Sequence, residues 1–210
     1  MQVIEGILFE PVGCLAEFPP EPFLEIAARL FDRRKSTSKS GSRAYWHLLN
    51  LMEACERDMV EDLELQAVEG ASVYEDVIPA LSELKEMHIK LFITSSLSND
   101  AITRFLEKLP ARELFTAVWT RDNAGGVKAA PLRCAIKSLQ PEHAVFLTDT
   151  AEGLRVAKSV GTNSILMMND PDEARRLALH DPAGGIVSLH ELPDFIRLVA
   201  AENQRPSDLR

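Results

Sequence analysis

Short apolar runs alternate with amphipathic segments along most of the chain, above all after residue 75. Runs of this kind bounded by turn signals are typical of strands buried on both faces, and apolar spacings of three and four residues are typical of helices. The predicted strands are 3–9, 89–94, 115–119, 144–148 and 164–168. The predicted helices are 74–87, 99–109, 131–139 and 151–160, and the end of the chain predicts a short strand and a last helix. This alternation predicts an α/β fold with a doubly wound, Rossmann-like parallel sheet.

Residues 16–74 follow a different pattern. Helical spacing runs through 17–32 and 43–68 without a convincing strand, and the segment KSTSKSGS at 35–42 has the composition of a linker. We therefore predict two units: an α/β core made of residues 1–15 and 75–210, and a small helical insert of residues 16–74 placed after the first strand.

Composition narrows the classes of partner. With 210 residues, of which 46% are apolar, the chain can bury one core and a smaller insert. Its net charge of −9 argues against a nucleic-acid partner, which requires a basic face. A small phosphorylated molecule held by a few local groups remains compatible with this charge, and a protein partner stays open.

The three cysteines and the N-terminal segment indicate the cellular compartment in which the protein is expected. Cys14, Cys55 and Cys134 are widely spaced and form no metal-binding motif, which indicates reduced thiols. The N-terminus lacks the basic region of a signal peptide, and no apolar run approaches the roughly 18 residues of a membrane helix. We expect a cytoplasmic protein without a membrane partner.

Polar residues follow several of the predicted strands. Glu10 comes after the first strand, Thr94 and Ser95 end the second, and Asp149 follows the strand at 144–148. Parallel strands end at one edge of a sheet, and ligands bind beyond that edge. We therefore expect Glu10, Ser95, Asp149 and the nearby loop residue Lys128 to form one cluster; the sequence leaves open whether Thr94 or Ser95 faces it.

Four segments carry a resemblance to a known family. VIEGILFEPVGCL opens the chain, and LFITSS, GGVKAAP and AVFLTD follow in order. The set resembles the haloacid dehalogenase-like (HAD) hydrolase superfamily, in its phosphoglycolate phosphatase and β-phosphoglucomutase branch. The resemblance implies a helical cap after the first strand, Mg²⁺ as cofactor and a small phosphomonoester as substrate.

The first motif departs from the family pattern at both acids. Glu10 stands where the resemblance implies a nucleophilic Asp, and Val12 stands where it implies the general acid. The Glu10 carboxylate lies one methylene further from the backbone, in a reaction where a misplacement of about 1 Å can reduce the rate by about 10²-fold. Val12 cannot donate a proton, and acid catalysis is typically worth about 10²- to 10⁴-fold.

The later motifs match the family pattern more closely than the first motif does. The resemblance implies that Ser95 binds the phosphoryl group, that Lys128 offsets negative charge, and that a metal is held by Glu10, the backbone carbonyl of Val12 and Asp149. Thr148 stands where the family has another acid, and a hydroxyl is a poorer ligand for a hard cation. Mg²⁺ should therefore bind weakly or not at all.

Two functions remain open. One is a poorly active or inactive homologue that binds phosphate or another small ligand. The other is an active Mg²⁺-dependent phosphatase with altered chemistry. A receiver-like doubly wound fold would explain the strands, but it would explain neither the helical insert nor the GGVKAAP segment.

Overall fold

The computed structural model describes residues 4–31, 39–52 and 61–202. Within these residues a six-stranded sheet is formed by β1 (Gly6–Phe9), β4 (Lys90–Thr94), β5 (Phe115–Trp119), β6 (Ala144–Thr148), β7 (Asn163–Met167) and β8 (Gly184–Ile186). The strands have the order β5-β4-β1-β6-β7-β8, and all neighbouring strands are parallel. The predicted doubly wound parallel α/β fold is confirmed.

Helices cover the sheet on both sides. After the distorted turn α1 (Pro11–Cys14), the helices that belong with the sheet are α5 (Val77–Glu86), α6 (Asn99–Lys108), α7 (Arg121–Ala124), α8 (Ala129–Ile136), α9 (Ala151–Val160), α10 (Pro171–Leu177) and α11 (Glu191–Glu202). The sequence prediction lacks α7, which is a single capped turn too short to show a period, and α10, whose sequence PDEARRL has few apolar positions. None of the described helices is both long and apolar enough to cross a membrane.

The strands are apolar without interruption because both of their faces are buried. Ile7 and Phe9 pack in the large core cluster, whereas Leu8 packs in a second cluster with Phe92 and Phe146. Side chains alternate between the faces of a strand, so β1 divides its residues between two helical layers. This arrangement places β1 in the middle of the sheet and its carboxyl end between those of β4 and β6.

Residues 16–74 contain three described helices, α2 (Pro20–Phe31), α3 (Gly41–Leu51) and α4 (Glu61–Glu69). They also contain β2 (Ala16–Glu17) and β3 (Ser72–Val73), which pair antiparallel in a ribbon separate from the main sheet. The expectation of no strand here was therefore wrong, because two-residue strands show no alternation in sequence.

The structure also corrects the C-terminal end of the predicted linker at 35–42. Gly41 and Ser42 form the first turn of α3, and the Ser40 side chain accepts a hydrogen bond from the Arg43 backbone N–H. Serine is a favoured N-cap residue, so the polar composition here starts a helix. Residues 35–38 lie outside the described residues.

The last helix of the insert, α4, is tied to the core by charged groups. Glu64 forms an ion pair with Arg121 of α7, and both side chains are almost fully buried. The Lys108 Nζ of α6 donates hydrogen bonds of 2.7–2.9 Å to three carbonyls at the end of α4, those of Val68, Glu69 and Ala71. These contacts add a charged donor to the carbonyls at the helix end, where intrahelical donors run out, and the Val68 carbonyl also accepts from the Ala71 N–H at 3.1 Å.

We expect Glu64→Ala to lower the free energy of unfolding by about 3–5 kcal/mol, because it removes the buried counter-charge of the Arg121 guanidinium and leaves the more exposed Asp122, at 3.7 Å, as the acid paired with it. Denaturant unfolding followed by circular dichroism measures this change. The matched control is Glu25→Ala, which breaks an Arg–Glu pair whose side chains are 59% and 48% exposed. Equal losses in the two variants would contradict a special role for the buried pair.

Candidate active site

Three polar residues meet beyond the ends of three adjacent strands. Ser95 follows β4, Glu10 follows β1 and Asp149 follows β6. The Ser95 Oγ donates a 2.8 Å hydrogen bond to Glu10 Oε1, and both side chains are buried. Thr94 Oγ1 is buried and has no hydrogen-bond partner among the described residues, so Ser95 is the residue that faces Glu10.

The turn after Glu10 is shaped by its contact with Asp149. Gly13 has φ of +85°, and a Cβ atom there would lie 2.3 Å from Asp149 Oδ2. Glycine is therefore required both by conformation and by space. The Gly13 carbonyl also accepts a 2.7 Å hydrogen bond from Asn169 Nδ2, which ties the turn to the loop after β7.

Asp149 accepts hydrogen bonds from one residue of the insert and from one residue of the core. Its Oδ2 accepts hydrogen bonds from Ser42 Oγ at 2.6 Å and from Asn169 Nδ2 at 3.1 Å. Its Oδ1 is buried without a hydrogen-bond partner among the described residues. Burial raises the pKa of Asp149 to about 7, against the lowering effect of these two hydrogen bonds.

The insert also supplies a tyrosine to the centre of the site. The Tyr45 hydroxyl accepts a 2.8 Å hydrogen bond from the Ser96 backbone N–H and lies 3.3 Å from both Ser95 Oγ and Glu10 Oε2. Its ring packs against Phe23 and Trp46 and is 1% exposed. Burial raises the pKa of Tyr45 well above its usual value, so the hydroxyl stays neutral.

Sequence reasoning missed Tyr45 and Ser42. An aromatic residue in the apolar stripe of a helix is typical of an ordinary core position, and Ser42 lay in the presumed linker. No local signal indicates their contacts with Glu10 and Asp149, which are 35 and 107 residues away in the chain.

The Glu10 carboxyl group is enclosed by these neighbours. Burial raises its pKa to about 8, although hydrogen bonds from Ser95, the Val12 backbone and Tyr45 act in the opposite direction. At neutral pH the protonated form therefore predominates. A protonated carboxyl group is a poor nucleophile.

Lys128 reaches the site through its backbone. Its N–H donates a 2.7 Å hydrogen bond to Ser96 Oγ, and its φ of +60° is unusual for a residue with a side chain. Lys128 lines a separate shallow cavity together with Trp46, Asn50 and Glu152. Among the described residues, no ion pair joins it to an acid of the site.

The two remaining motif positions are fully buried. Val12 packs in the large core cluster. The Thr148 hydroxyl lies 3.5 Å from that of Thr150 at the start of α9. Neither side chain adds a carboxylate or a proton donor to the cluster.

The donor set does not fit a resident Mg²⁺ in this arrangement. Mg²⁺ requires about six oxygen ligands in octahedral geometry, and proteins commonly supply carboxylates. Asp149 Oδ1 is available, but both Glu10 oxygens face hydroxyl groups at hydrogen-bond distance. The described residues contain no group of three or more His, Cys, Asp or Glu side chains suited to a metal. The role of the Val12 carbonyl stays a prediction.

Comparison with known proteins gives the family. A family model described as haloacid dehalogenase-like hydrolase matches residues 34–167, more than half of the chain. The chain belongs to this family. It is also 37% identical over 93 residues to Protein CbbY of Cereibacter sphaeroides, a match that spans 41% of this chain and 40% of that protein.

Solved structures share the fold over nearly the whole chain. A HAD phosphatase from Thermococcus onnurineus superposes with a TM-score of 0.61 at 20% identity, covering 91% of this chain and 97% of that one. CbbY from Rhodobacter sphaeroides, in complex with phosphate, superposes with a TM-score of 0.62 at 23% identity, covering 90% and 96%. At these identities the likeness shows the fold alone.

The raised pKa of Glu10 predicts how stability depends on pH. Between pH 4.5, the ordinary value, and about 8, folded Glu10 keeps a proton that the unfolded chain releases. The free energy of unfolding therefore falls as pH rises through this window, with a slope of up to about 1.4 kcal/mol per pH unit from this group. Glu10→Gln mimics the protonated form, so we expect it to match the wild type near pH 5 and to exceed it in stability at pH 8.

Denaturant unfolding with a chelator present at pH 5 and pH 8 measures the difference. The exposed Glu113→Gln serves as the control and should leave the slope unchanged. Asp149 contributes a slope of the same sign in both proteins, so only the difference between them is diagnostic. Parallel pH profiles for wild type and Glu10→Gln would show that Glu10 is ionised in the folded protein.

Proposed function

We propose that this chain is a HAD-like hydrolase homologue that binds a small phosphorylated molecule and turns it over poorly or not at all. The observation that carries the proposal is the state of Glu10, which is buried and hydrogen-bonded to Ser95 at 2.8 Å. A carboxyl group held in this way is not free to attack phosphorus in line.

The other parts of the reaction are weakened as well. Val12 offers no proton to a leaving group, and Thr148 replaces a carboxylate that could have helped to hold Mg²⁺. Each defect acts on a different requirement, namely nucleophile, general acid and metal. We therefore expect Mg²⁺ to bind weakly or not at all.

Binding of a phosphorylated ligand has separate support. Ser95 Oγ and the Ser96 backbone N–H converge on one point, the Tyr45 hydroxyl, and such groups are typical donors to phosphate oxygens. CbbY from Rhodobacter sphaeroides, which shares the fold, was solved in complex with phosphate. In this proposal residues 16–74 act as a cap over a core of residues 1–15 and 75–210, and Lys128, whose backbone N–H contacts Ser96, offsets the negative charge of the ligand.

An active Mg²⁺-dependent phosphatase with altered chemistry is the second candidate. The convergence of Glu10, Ser95 and Asp149 at the ends of three adjacent strands favours it. It would require a metal to displace the hydroxyl partners of Glu10 and to restore its negative charge.

Phosphatase assays on purified protein separate the two candidates. With Mg²⁺ and an aryl phosphate, we expect the wild type to be no faster than Glu10→Ala, because Glu10 contributes nothing to turnover. The exposed Glu113→Ala variant is the control for differences in activity between protein preparations. A wild-type rate that drops about 10²-fold or more in Glu10→Ala, the size of effect expected on losing a nucleophile or acid–base group, would instead establish the phosphatase.

A further inference from the structure

The insert places the Tyr45 hydroxyl against the loop that follows β4. After β4, the loop Ser95–Ser98 presents its Ser96 N–H and the Ser95 hydroxyl toward the site, and Tyr45 contacts both at 2.8 and 3.3 Å. Glu10 lies 3.3 Å from the same hydroxyl. The Tyr45 oxygen thus accepts from the Ser96 N–H, a backbone donor that a phosphoryl oxygen bound at this loop would also use.

We propose that the Tyr45 hydroxyl occupies the position at the loop Ser95–Ser98 where a phosphoryl oxygen would bind. A phosphoryl group then binds only when Tyr45 moves away from this loop. This inference rests on the proposed function. The Ser96 N–H is a single donor and Tyr45 is 1% exposed, so a phosphate oxygen and the tyrosine hydroxyl cannot hold the position together.

Contacts of α3 with the core show what such a withdrawal would break. Ser42 Oγ donates to Asp149 Oδ2 at 2.6 Å, and Arg43 pairs with Glu173 at 3.5 Å across a half-exposed surface. The contacts of α4 are stronger, since Glu64 and Arg121 are paired in a buried position. Release of Tyr45 therefore loosens α3 while the buried pair keeps α4 on the core.

Binding of inorganic phosphate to Tyr45 variants, measured by calorimetry without metal, tests the proposal. Tyr45→Ala frees the Ser96 N–H and opens space, while Ser95 keeps its hydrogen bond to Glu10, and we expect the variant to bind phosphate about tenfold more tightly than the wild type, the equivalent of one hydrogen bond. Tyr45→Phe keeps the ring packed and frees only the Ser96 N–H without opening space, so its gain should be smaller. Tyr74→Phe is the matched control, because it removes the chain's other tyrosine hydroxyl, which contacts Glu17 instead.

Tryptophan fluorescence reports the movement directly. Trp46 is 2% exposed and its ring lies 6.0 Å from that of Tyr45, so withdrawal of α3 should expose it. In a Trp119→Phe background Trp46 is the remaining tryptophan. We expect saturating phosphate to shift its emission to longer wavelength.

The outcomes separate this inference from the proposed function. If the wild type binds phosphate as tightly as Tyr45→Ala and Trp46 emission does not change, Tyr45 does not block the phosphate position. The further inference is then wrong, although the protein still binds phosphate. If no variant binds phosphate, the inference and the ligand in the proposed function are both wrong. Tighter binding in the Tyr45 variants but not in Tyr74→Phe, with the emission shift, supports both.

Discussion

The loop that follows β4 must satisfy its buried backbone groups, and the helical insert supplies partners for this. The Ser96 N–H bonds to Tyr45 of α3, and the Ser98 N–H bonds to Glu64 of α4. The Ser96 carbonyl accepts from Arg121, the partner of Glu64. A buried N–H without a partner costs about as much as a lost hydrogen bond, so the insert stabilises the loop that would bind a ligand.

The electrostatics of the site follow from this closure. Glu10 and Asp149 are both buried, and burial raises the pKa of each. The neutral Tyr45 hydroxyl is electrostatically compatible with a protonated Glu10. A phosphate dianion would instead be repelled by the carboxylates of Glu10 and Asp149, by one or both according to how many are ionised. Lys128, the nearest cation that the motifs suggest, forms no ion pair there among the described residues. The arrangement with Tyr45 in place therefore disfavours a bound anion.

Much of the fold could be predicted because burial on both faces leaves a direct mark on sequence. The strands ending at Phe9, Thr94, Trp119 and Thr148 are apolar runs that a local reading finds. The ribbon β2–β3 and the helix α7 leave no such mark, since they are too short for a period. Tyr45, Ser42 and Glu64 act at the site through contacts between distant parts of the chain, and no spacing rule indicates those. Sequence therefore places the core residues of the site better than the residues that close it.

Retained motif residues do not by themselves imply a retained reaction. Gly13 is required by its positive φ and by the Asp149 carboxylate, which would be 2.3 Å from a Cβ atom. Ser95 is required by the Leu97 N–H, which donates to its Oγ at 3.3 Å, as well as by Glu10. Packing and hydrogen bonding would preserve both residues after turnover was lost. Glu10 differs, because a buried carboxyl group weakens the fold above its ordinary pKa and an apolar residue would avoid that cost. Its presence is better explained by the hydrogen bonds that it makes with Ser95 and Tyr45, which join the first strand to the loop and the insert.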